Sequence, residues 1–424
     1  MEPTIRIIAR SLTFLIVLLG AYTTPAQRAT NPLVRFSHPA LQEINTLVSV
    51  RQYQQAIDQS LKYAQQMKKM SNWEGYISFT LRAAEIETFE VWKAKGFPEI
   101  KISFDYRRPE AYLDTLYRNS GKYIDQYPYL KANTLFTLAV VYDWLQLPDT
   151  AEYMHLQALD MRNTLYGTES REVADSYLWL GVLNNWGLQR KDLAKRYYLK
   201  AVPLLKKYLP DSRYALGSAY YGLSIIAREA YEFDEAETLA KQYSALYDDL
   251  PYEQALAFQL IANIYWDQQN YEKSLQERNK SIKIFESSGF KGDLIIEYSN
   301  LSSDLKGLKR FKESEATLRR ALRILQTSTI YDPFNSKIIF ENLGDLYRAM
   351  GKYDSAELYL NKALRVAQDA YGQRNIEVAE VYGQRGKLHM NRNQFRSALM
   401  DFQQMLMSTI PDFQTDDFFV IPPV

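Results

Sequence analysis

The chain of 424 residues contains no cysteine, and this absence removes several kinds of chemistry at once. Without thiols there is no disulfide, no thiolate metal site, no cysteine nucleophile and no cysteine-borne lipid anchor. Glycine and proline are also scarce, at 17 and 15 residues, which favours helices over a loop-rich β fold. The fold must therefore be stabilised by packing.

The chain also has no marked excess of positive or negative charge. The chain carries 51 basic and 50 acidic side chains, so it has no excess charge with which to attract nucleic acid or an anionic membrane surface. The sequence therefore predicts no nucleic-acid partner.

Catalytic and cofactor motifs are missing too. We find no phosphate-binding loop, dinucleotide fingerprint, HExxH helix, GxSxG elbow or calcium loop. There are three histidines. We interpret His155 and His389 as buried or half-buried packing residues and not as ligands of one site, since they lie far apart in sequence. We predict no enzyme activity, no cofactor and no metal site.

The first 26 residues resemble an export signal. Arg6 and Arg10 precede an apolar run from Ser11 to Tyr22, and small residues follow at Thr24 and Ala26. The run is shorter than the roughly 20 residues that a membrane-spanning helix needs. We expect cleavage after Ala26 and a periplasmic or secreted protein without a stable membrane anchor. A retained anchor is the alternative.

The rest of the chain repeats itself. Residues 166–177 and 371–382 both read Y-G-x-x-x-x-E-V-A-x-x-Y. Small residues recur at intervals of 38 to 43 positions: Ala139, Gly181, Ser224, Ala262, Ser302, Gly344 and Gly386. A second small residue follows each by twelve positions, or by thirteen at Ala194, which indicates one extra residue in that turn. A period of this length is typical of a solenoid.

We interpret each period as a helical hairpin. Small residues let the two helices approach closely, and bulky residues three or four positions away fill the remaining groove. Asp149, Asp234 and Asp354 each precede a glutamate by three residues and are predicted to be N-caps. Gly351 suits the turn between two helices.

This pattern resembles the tetratricopeptide repeat. The residues that match best are Phe340, Leu343-Gly344, Tyr347, Gly351, Tyr353, Ala356, Leu360 and Ala363-Leu364. The period near 42 is similar to that of kinesin-light-chain repeats. The resemblance implies an all-α, right-handed α-solenoid superhelix of about eight or nine hairpins, a scaffold for protein–protein interaction.

The boundaries follow from the repeat. We predict a signal peptide at 1–26 and a divergent N-terminal helical region at 27–128 with a loop at 96–110. The repeat solenoid follows at 129–411 and a C-terminal tail at 412–424. A first hairpin is expected between about Pro39 and Lys69, and a second from Trp73 to Tyr127.

The closing segment has a narrower resemblance. The run from Asn393 to Phe413 is similar to the last repeat before a CHAT domain, a caspase-like domain that uses a His/Cys pair. Because the chain has no cysteine, it cannot perform that chemistry.

A repeat solenoid presents its first helices on the concave side. The side chains predicted to line that groove are Gln259, Asn263, Asn300, Lys306, Asn342, Arg348, Gln384 and Lys387. Amides provide both donors and acceptors, which suits an extended peptide, and cations favour acidic groups. Asn300 and Asn342 occupy the same repeat position, 42 residues apart.

Three tryptophans, Trp144, Trp186 and Trp266, are predicted to project away from the core of their first helices. Exposed aromatics are favoured at interfaces, and packing between repeats is the alternative.

Three functions fit these observations. The first is a non-catalytic exported scaffold that binds a protein or peptide partner in its groove. The second is a sensor or regulatory module of a CHAT system whose catalytic domain is absent from this chain. The third is an outer-membrane glycan-binding protein, although such proteins are usually anchored through a cysteine.

Overall fold

The computed structural model describes residues 38–50, 52–90, 107–119, 121–327 and 332–410. Within these ranges every regular element is helical. The chain forms two compact units that divide after Asp248. The predicted all-α class is confirmed for this part of the chain, whereas the predicted leader (1–26) and tail (412–424) lie outside it.

The N-terminal unit contains eleven of the described helices. They are α1 (Pro39–Ser49), α2 (Tyr53–Lys69), α3 (Trp73–Glu85), α4 (Arg107–Asp114), α5 (Gly121–Ile124), α6 (Pro128–Trp144), α7 (Pro148–Tyr166), α8 (Arg171–Val182), α9 (Lys191–Lys207), α10 (Arg213–Glu229) and α11 (Phe233–Ala245). Three of these helices continue into a π-helical turn: α3 at Ile86–Glu90, α4 at Thr115–Asn119 and α8 at Leu183–Gly187.

The predicted end of the loop at residue 110 is wrong, because α4 begins at Arg107. Pro109 lies in the first turn of α4, where the missing N–H of proline breaks no helical hydrogen bond. The earlier part of that predicted loop, residues 96–106, lies outside the described residues.

In the described residues of the C-terminal unit, the helices form four hairpins. Their helices are α12 (Pro251–Asp267) with α13 (Tyr271–Ser288), α14 (Lys291–Gly307) with α15 (Phe311–Thr327), α16 (Pro333–Ala349) with α17 (Tyr353–Tyr371), and α18 (Ile376–Asn391) with α19 (Phe395–Thr409). In the N-terminal unit α6/α7, α8/α9 and α10/α11 pair in the same way. We call the first helix of each pair the A helix and the second the B helix.

The recurring small residue of each hairpin lies on the A helix and is buried against the B helix. The opposed pairs at the three glycines are Gly181–Tyr198, Gly344–Leu360 and Gly386–Phe402. In each pair, an added Cβ atom would lie only 2.7 Å from the facing side chain. The three glycines therefore occupy equivalent places, and the sequence repeat is a structural repeat.

Where serine replaces glycine or alanine at these positions, its hydroxyl forms a hydrogen bond with the backbone of the facing helix. Ser224 Oγ donates to the carbonyl oxygen of Ala236, twelve residues further on, at 2.8 Å. Two other hairpins make the bond in the opposite direction, from Ser274 to Ala262 (2.9 Å) and from Ser314 to Ser302 (2.8 Å). Serine is thus small enough for the close approach and adds a hydrogen bond to it.

The turn inside each hairpin contains one residue with a left-handed backbone. This residue follows the small residue by seven positions: Gln146, Tyr231, Gln269, Lys309, Gly351 and Asn393, with φ between 57° and 71°. The next residue donates its N–H five positions back, as Lys352 does to Tyr347 at 2.9 Å. These bonds define a Schellman motif, which satisfies the last carbonyl groups of the A helix. Gly351 therefore occupies the turn, as predicted.

The extra residue predicted after Gly181 lies in the π-helical turn Leu183–Gly187, at the end of the A helix and not in the connecting turn. The left-handed residue is accordingly Gln189, eight positions after Gly181. Arg190 donates to Asn184, six positions back, at 2.7 Å. A π-helical turn absorbs a one-residue insertion without disturbing the rest of the hairpin.

The predicted acidic N-caps are wrong. The B helices begin one residue before Asp149, Asp234 and Asp354, so these carboxylates lie in the first turn of the helix. The Schellman turn fixes the start of each B helix. The acids still lie near the positive end of the helix dipole, where a negative charge is favourable.

An aromatic side chain four positions before the small residue is covered by a cation from the B helix. The pairs are Tyr177–Lys200 (5.3 Å), Phe258–Lys280 (5.2 Å), Tyr298–Arg320 (5.5 Å) and Phe340–Lys362 (5.9 Å), measured to the ring centroid. The repetition accounts for part of the aromatic excess of the sequence. Each pair contributes roughly 0.5–1 kcal/mol at an exposed site.

A matched pair of glycine substitutions tests the close contact. Gly344→Ala places a methyl group against Leu360, whereas Gly292→Ala, in the first turn of α14, meets no atom within 4 Å. Both changes improve helix propensity. We expect Gly344→Ala to lower the free energy of unfolding by about 1–3 kcal/mol relative to Gly292→Ala. Urea unfolding followed by circular dichroism measures the difference, and equal stabilities would contradict the contact.

Candidate protein-binding surface

The eight predicted groove residues all lie on the A helices of the C-terminal unit. Gln259 is buried, with 7% of its surface exposed, and Lys387 is exposed. The other six are half-buried: Asn263, Asn300, Lys306, Asn342, Arg348 and Gln384. Their hydrogen bonds divide them into side chains that join neighbouring hairpins and side chains that remain available.

Gln259 and Asn263 belong to a buried network around Arg278. Arg278, on α13, donates to Asp304 Oδ2 at 2.6 Å and lies 3.4 Å from Glu297 Oε1; both carboxylates are on α14. It also donates to Asn263 Oδ1 at 3.1 Å, and Gln259 donates to Glu297 Oε1 at 2.7 Å. Gln259 therefore connects two hairpins, whereas Asn263 binds Arg278 within its own hairpin. This use explains why Gln259 is not open to a ligand.

This network replaces an apolar contact of the neighbouring repeat. Arg278 lies sixteen residues after its small residue, and its two acidic partners lie on the following A helix. The corresponding residues one hairpin further on are Leu318, Leu346 and Ile339, all with at most 1% of their surface exposed. Burial raises the pKa of Glu297 and Asp304, against the attraction of Arg278.

Lys306 and Arg348 share a second network. Both bind the carboxylate of Asp345, which joins α14 to α16. Arg348 also donates to Asn391 Oδ1, on α18, at 3.2 Å. Although burial acts to raise it, the pKa of Asp345 is held below its ordinary value by these two cations. Asp345 thus compensates one of the two positive charges within the unit.

A third network joins α16 to α18. Lys337 is fully buried between Glu341 on its own helix and Glu377 and Glu380 on the next A helix. Its Nζ atom lies 2.8 Å from Glu380 Oε2 and 3.5 Å from Glu341 Oε2. Burial, together with the other two carboxylates, raises the pKa of Glu341 to about 7. No motif revealed this cluster in the sequence, because Lys337 occupies a position that is apolar or small elsewhere.

Three amides remain in a row on successive A helices. Asn300, Asn342 and Gln384 each lie two residues before the small residue, on α14, α16 and α18. Asn300 forms a hydrogen bond with Glu297. Within the described residues, Asn342 and Gln384 form no side-chain hydrogen bond. Asn342 lines a shallow cleft with Ser302, Ser303 and Lys306.

The predicted exposed tryptophans are half-buried. Trp266 packs edge-on against Tyr271, the first residue of the next B helix, with centroids 6.4 Å apart. Lys191 lies over the ring of Trp186 at 5.1 Å. Because they lie close to the turn, Trp186 and Trp266 pack against the start of the following helix. A partner contact of the three half-buried tryptophans stays a prediction.

The two histidines within the repeats are packing residues, as predicted. His155 is fully buried and stacks against Trp179 with centroids 6.5 Å apart. Burial lowers its pKa to about 3. His389 Nδ1 lies 3.0 Å from Asp401 Oδ2. In the described part of the chain, no three His, Asp or Glu side chains are grouped to bind a metal, and no helix has the length and hydropathy to span a membrane.

These observations define an all-α protein of repeated helical hairpins. Residues 338–406, which run from α16 into α19, match the family model described as tetratricopeptide repeat. The last two hairpins, α16/α17 and α18/α19, therefore match the tetratricopeptide repeat that the sequence pattern predicted. No protein of curated function matches the chain.

Solved structures share this fold. The apo form of the quorum sensor NprR from B. thuringiensis is 14% identical with a TM-score of 0.64, and the match covers 87% of this chain and 97% of that one. Apo RapI is 12% identical with a TM-score of 0.62, covering 88% and 99%. A Rap protein in complex with Competence and Sporulation Factor is 12% identical with a TM-score of 0.58, covering 87% and 96%. Identity at this level shows a common fold alone.

The Arg278 network can be tested by substitution. Arg278→Leu leaves two buried carboxylates without their counter-charge and should lower the free energy of unfolding by about 3–5 kcal/mol. Combining it with Glu297→Ile and Asp304→Leu copies the apolar contact of the next hairpin and should restore most of that loss. Urea unfolding compares the variants. If the triple variant is no more stable than Arg278→Leu, apolar side chains cannot replace the ion network at this contact.

Glu341 predicts a pH dependence of stability. Between about pH 4.5, its ordinary pKa, and about pH 7, the folded chain holds a proton that the unfolded chain has lost. The stabilising contribution of this proton is therefore lost as the pH rises through that window. We expect the stability of Glu341→Gln relative to the natural chain to increase from pH 5 to pH 8. Glu272→Gln, at an exposed position of α13, is the control; an equal change there would refute the assignment.

Proposed function

We propose that the chain is a non-catalytic scaffold that binds a protein or peptide partner along the A helices of its C-terminal unit. The observation that carries this proposal is the amide row Asn300, Asn342 and Gln384. The fold supports it, since one solved structure of similar fold is a quorum sensor and another is a complex with Competence and Sporulation Factor.

The amide row fits an extended polypeptide. Helices in contact lie about 8–10 Å apart, and an extended strand advances about 3.3 Å per residue. One amide therefore meets roughly every third residue of a bound segment. Each amide offers a donor and an acceptor, and the backbone of the segment needs both.

The charges on this surface add a preference for an acidic partner to backbone recognition. Lys306 and Arg348 share the single carboxylate of Asp345, which leaves one positive charge on the pair, and Lys387 is exposed one residue after Gly386. An acidic side chain or a terminal carboxylate on the partner would pair with Lys387. Such an exposed pair contributes little, about 0.2–1 kcal/mol.

We also propose that the protein acts outside the cytoplasm, since residues 1–26 resemble a cleaved signal. This part of the proposal rests on the sequence, because these residues lie outside the described ranges. N-terminal sequencing of the protein recovered from its natural host tests it. A mature chain that starts at Gln27 supports export, and one that retains Met1 contradicts it.

Binding is tested with the two available amides. We expect Asn342→Ala combined with Gln384→Ala to raise the dissociation constant of the captured partner about tenfold. The reason is that two hydrogen bonds of about 0.5–1.5 kcal/mol each are lost. The partner is first isolated by affinity capture with the natural chain, and its dissociation constant is then measured by calorimetry.

The matched control is Gln276→Ala with Asn279→Ala, two exposed amides on α13. Equal weakening by both double variants, or no weakening by the first, would remove the amide row from the binding surface.

A further inference from the structure

The B helices of three successive hairpins carry two rows of exposed cations. The rows lie six and nine positions after the second small residue of each hairpin. Their six members, which we call the cationic strip, are Lys280 and Lys283 on α13, Arg320 and Arg323 on α15, and Lys362 and Arg365 on α17. No B helix of the other four regular hairpins has a cation at both places. The hairpin itself therefore does not require the strip.

The strip is a narrow band without negative charge. Residues 278–285, 318–325 and 360–367 include no acidic side chain, and eight residues of helix extend over about 12 Å. Exposed acids lie beyond the band in both directions along the helices: Glu313 and Asp354 before it, and Glu286 and Asp369 after it. The positive band thus has negative borders on both sides.

Most of this positive charge is uncompensated. Within the described ranges, Lys280 is the one member of the strip with an ion pair, and its partner is Glu277 at 2.7 Å. Arg365 precedes Asp369 by four positions, yet the two form no ion pair. The two cations of each helix lie three positions apart on the same face, where like charges repel. An anion placed between them would relieve this repulsion.

The two rows differ in how they are held. The cations of the first row lie over aromatic rings of the preceding A helices, and Lys362 also lies 5.1 Å from the centroid of Tyr359. Cations that are already held in place lose less conformational entropy when they bind. In the described part of the chain, the second row of Lys283, Arg323 and Arg365 contacts neither a ring nor a carboxylate. This row has no role in holding the hairpins together.

We propose that the cationic strip binds an extended acidic segment of a partner protein. Adjacent extended strands lie about 4.8 Å apart, so a single segment fits within the band. An anionic bilayer or a nucleic-acid duplex is broader and would also meet the acidic borders. The guanidinium groups of the central helix, α15, match carboxylates in a bidentate geometry. This surface is on the B helices, so it is distinct from the amide row on the A helices and goes beyond the function proposed above.

A synthetic peptide of twelve glutamates, about 40 Å long when extended, tests the strip on the full chain. Fluorescence anisotropy of the labelled peptide should show binding that weakens as salt is raised, because exposed charges are screened. Arg323→Gln combined with Arg365→Gln should raise the dissociation constant about fivefold, since two exposed ion pairs are lost. A (Gly-Ser)6 peptide should not bind.

The matched control removes two exposed cations elsewhere. Arg196→Gln with Lys206→Gln, both on α9, changes the net charge equally and should leave the dissociation constant unaltered. Circular dichroism checks that both double variants are folded. Absence of binding, or equal weakening by the two double variants, overturns the proposal. Weakening by Lys387→Gln instead would place the peptide on the A helices. Binding of phosphatidylglycerol vesicles that depends on Arg323 and Arg365, without binding of the peptide, would assign the strip to a membrane surface and also overturn it.

Discussion

The close approach of two helices at one small residue determines the rest of the structure. At Gly344 no side chain larger than hydrogen fits against Leu360 without movement. The helix axes are thereby held at one distance, and the Schellman turn holds the connection at one length. Each hairpin then presents the same faces to its neighbours. A stack built in this way is stabilised by contacts between adjacent units, so the character of each contact between hairpins is a local choice.

The contacts between successive hairpins of the C-terminal unit differ in chemical character. One contact between hairpins is apolar, around Leu318, and the preceding contact is the ion network of Arg278. A buried ion pair is a poor source of stability, because desolvation offsets the attraction. It does oppose any arrangement that leaves a charge unpaired, so the Arg278 network favours one register of α13 on α14. Polar contacts of this kind specify which faces meet, while the apolar contacts supply most of the free energy of packing.

Much of this architecture could be predicted from the sequence, and the parts that could not have physical reasons. The intervals between small residues predict the seven hairpins from α6/α7 to α18/α19, because a steric limit leaves a strict pattern. The start of the B helices was missed, since the left-handed turn residue is glycine only at Gly351 and other side chains adopt the same backbone elsewhere. The sequence predicts Gln259 to line the groove, and it gives no sign of the hydrogen bond to Glu297, which lies 38 residues away in the chain. Polar partners at such a distance leave no periodic signal.

Binding and stacking share the same helices, and this has a consequence for the candidate surface. A partner that engages both Asn342 and Gln384 spans α16 and α18, the two helices that the Lys337 cluster also joins. Such a partner binds only when these helices are correctly spaced, so it stabilises that contact. Glu341 belongs to the cluster that joins these two helices. By thermodynamic reciprocity, a partner that favours the protonated arrangement raises its proton affinity, and protonation strengthens its binding to the same degree. Asn342, Gln384 and the buried glutamates thus lie on the same two helices, and any coupling between them acts through one contact between repeats.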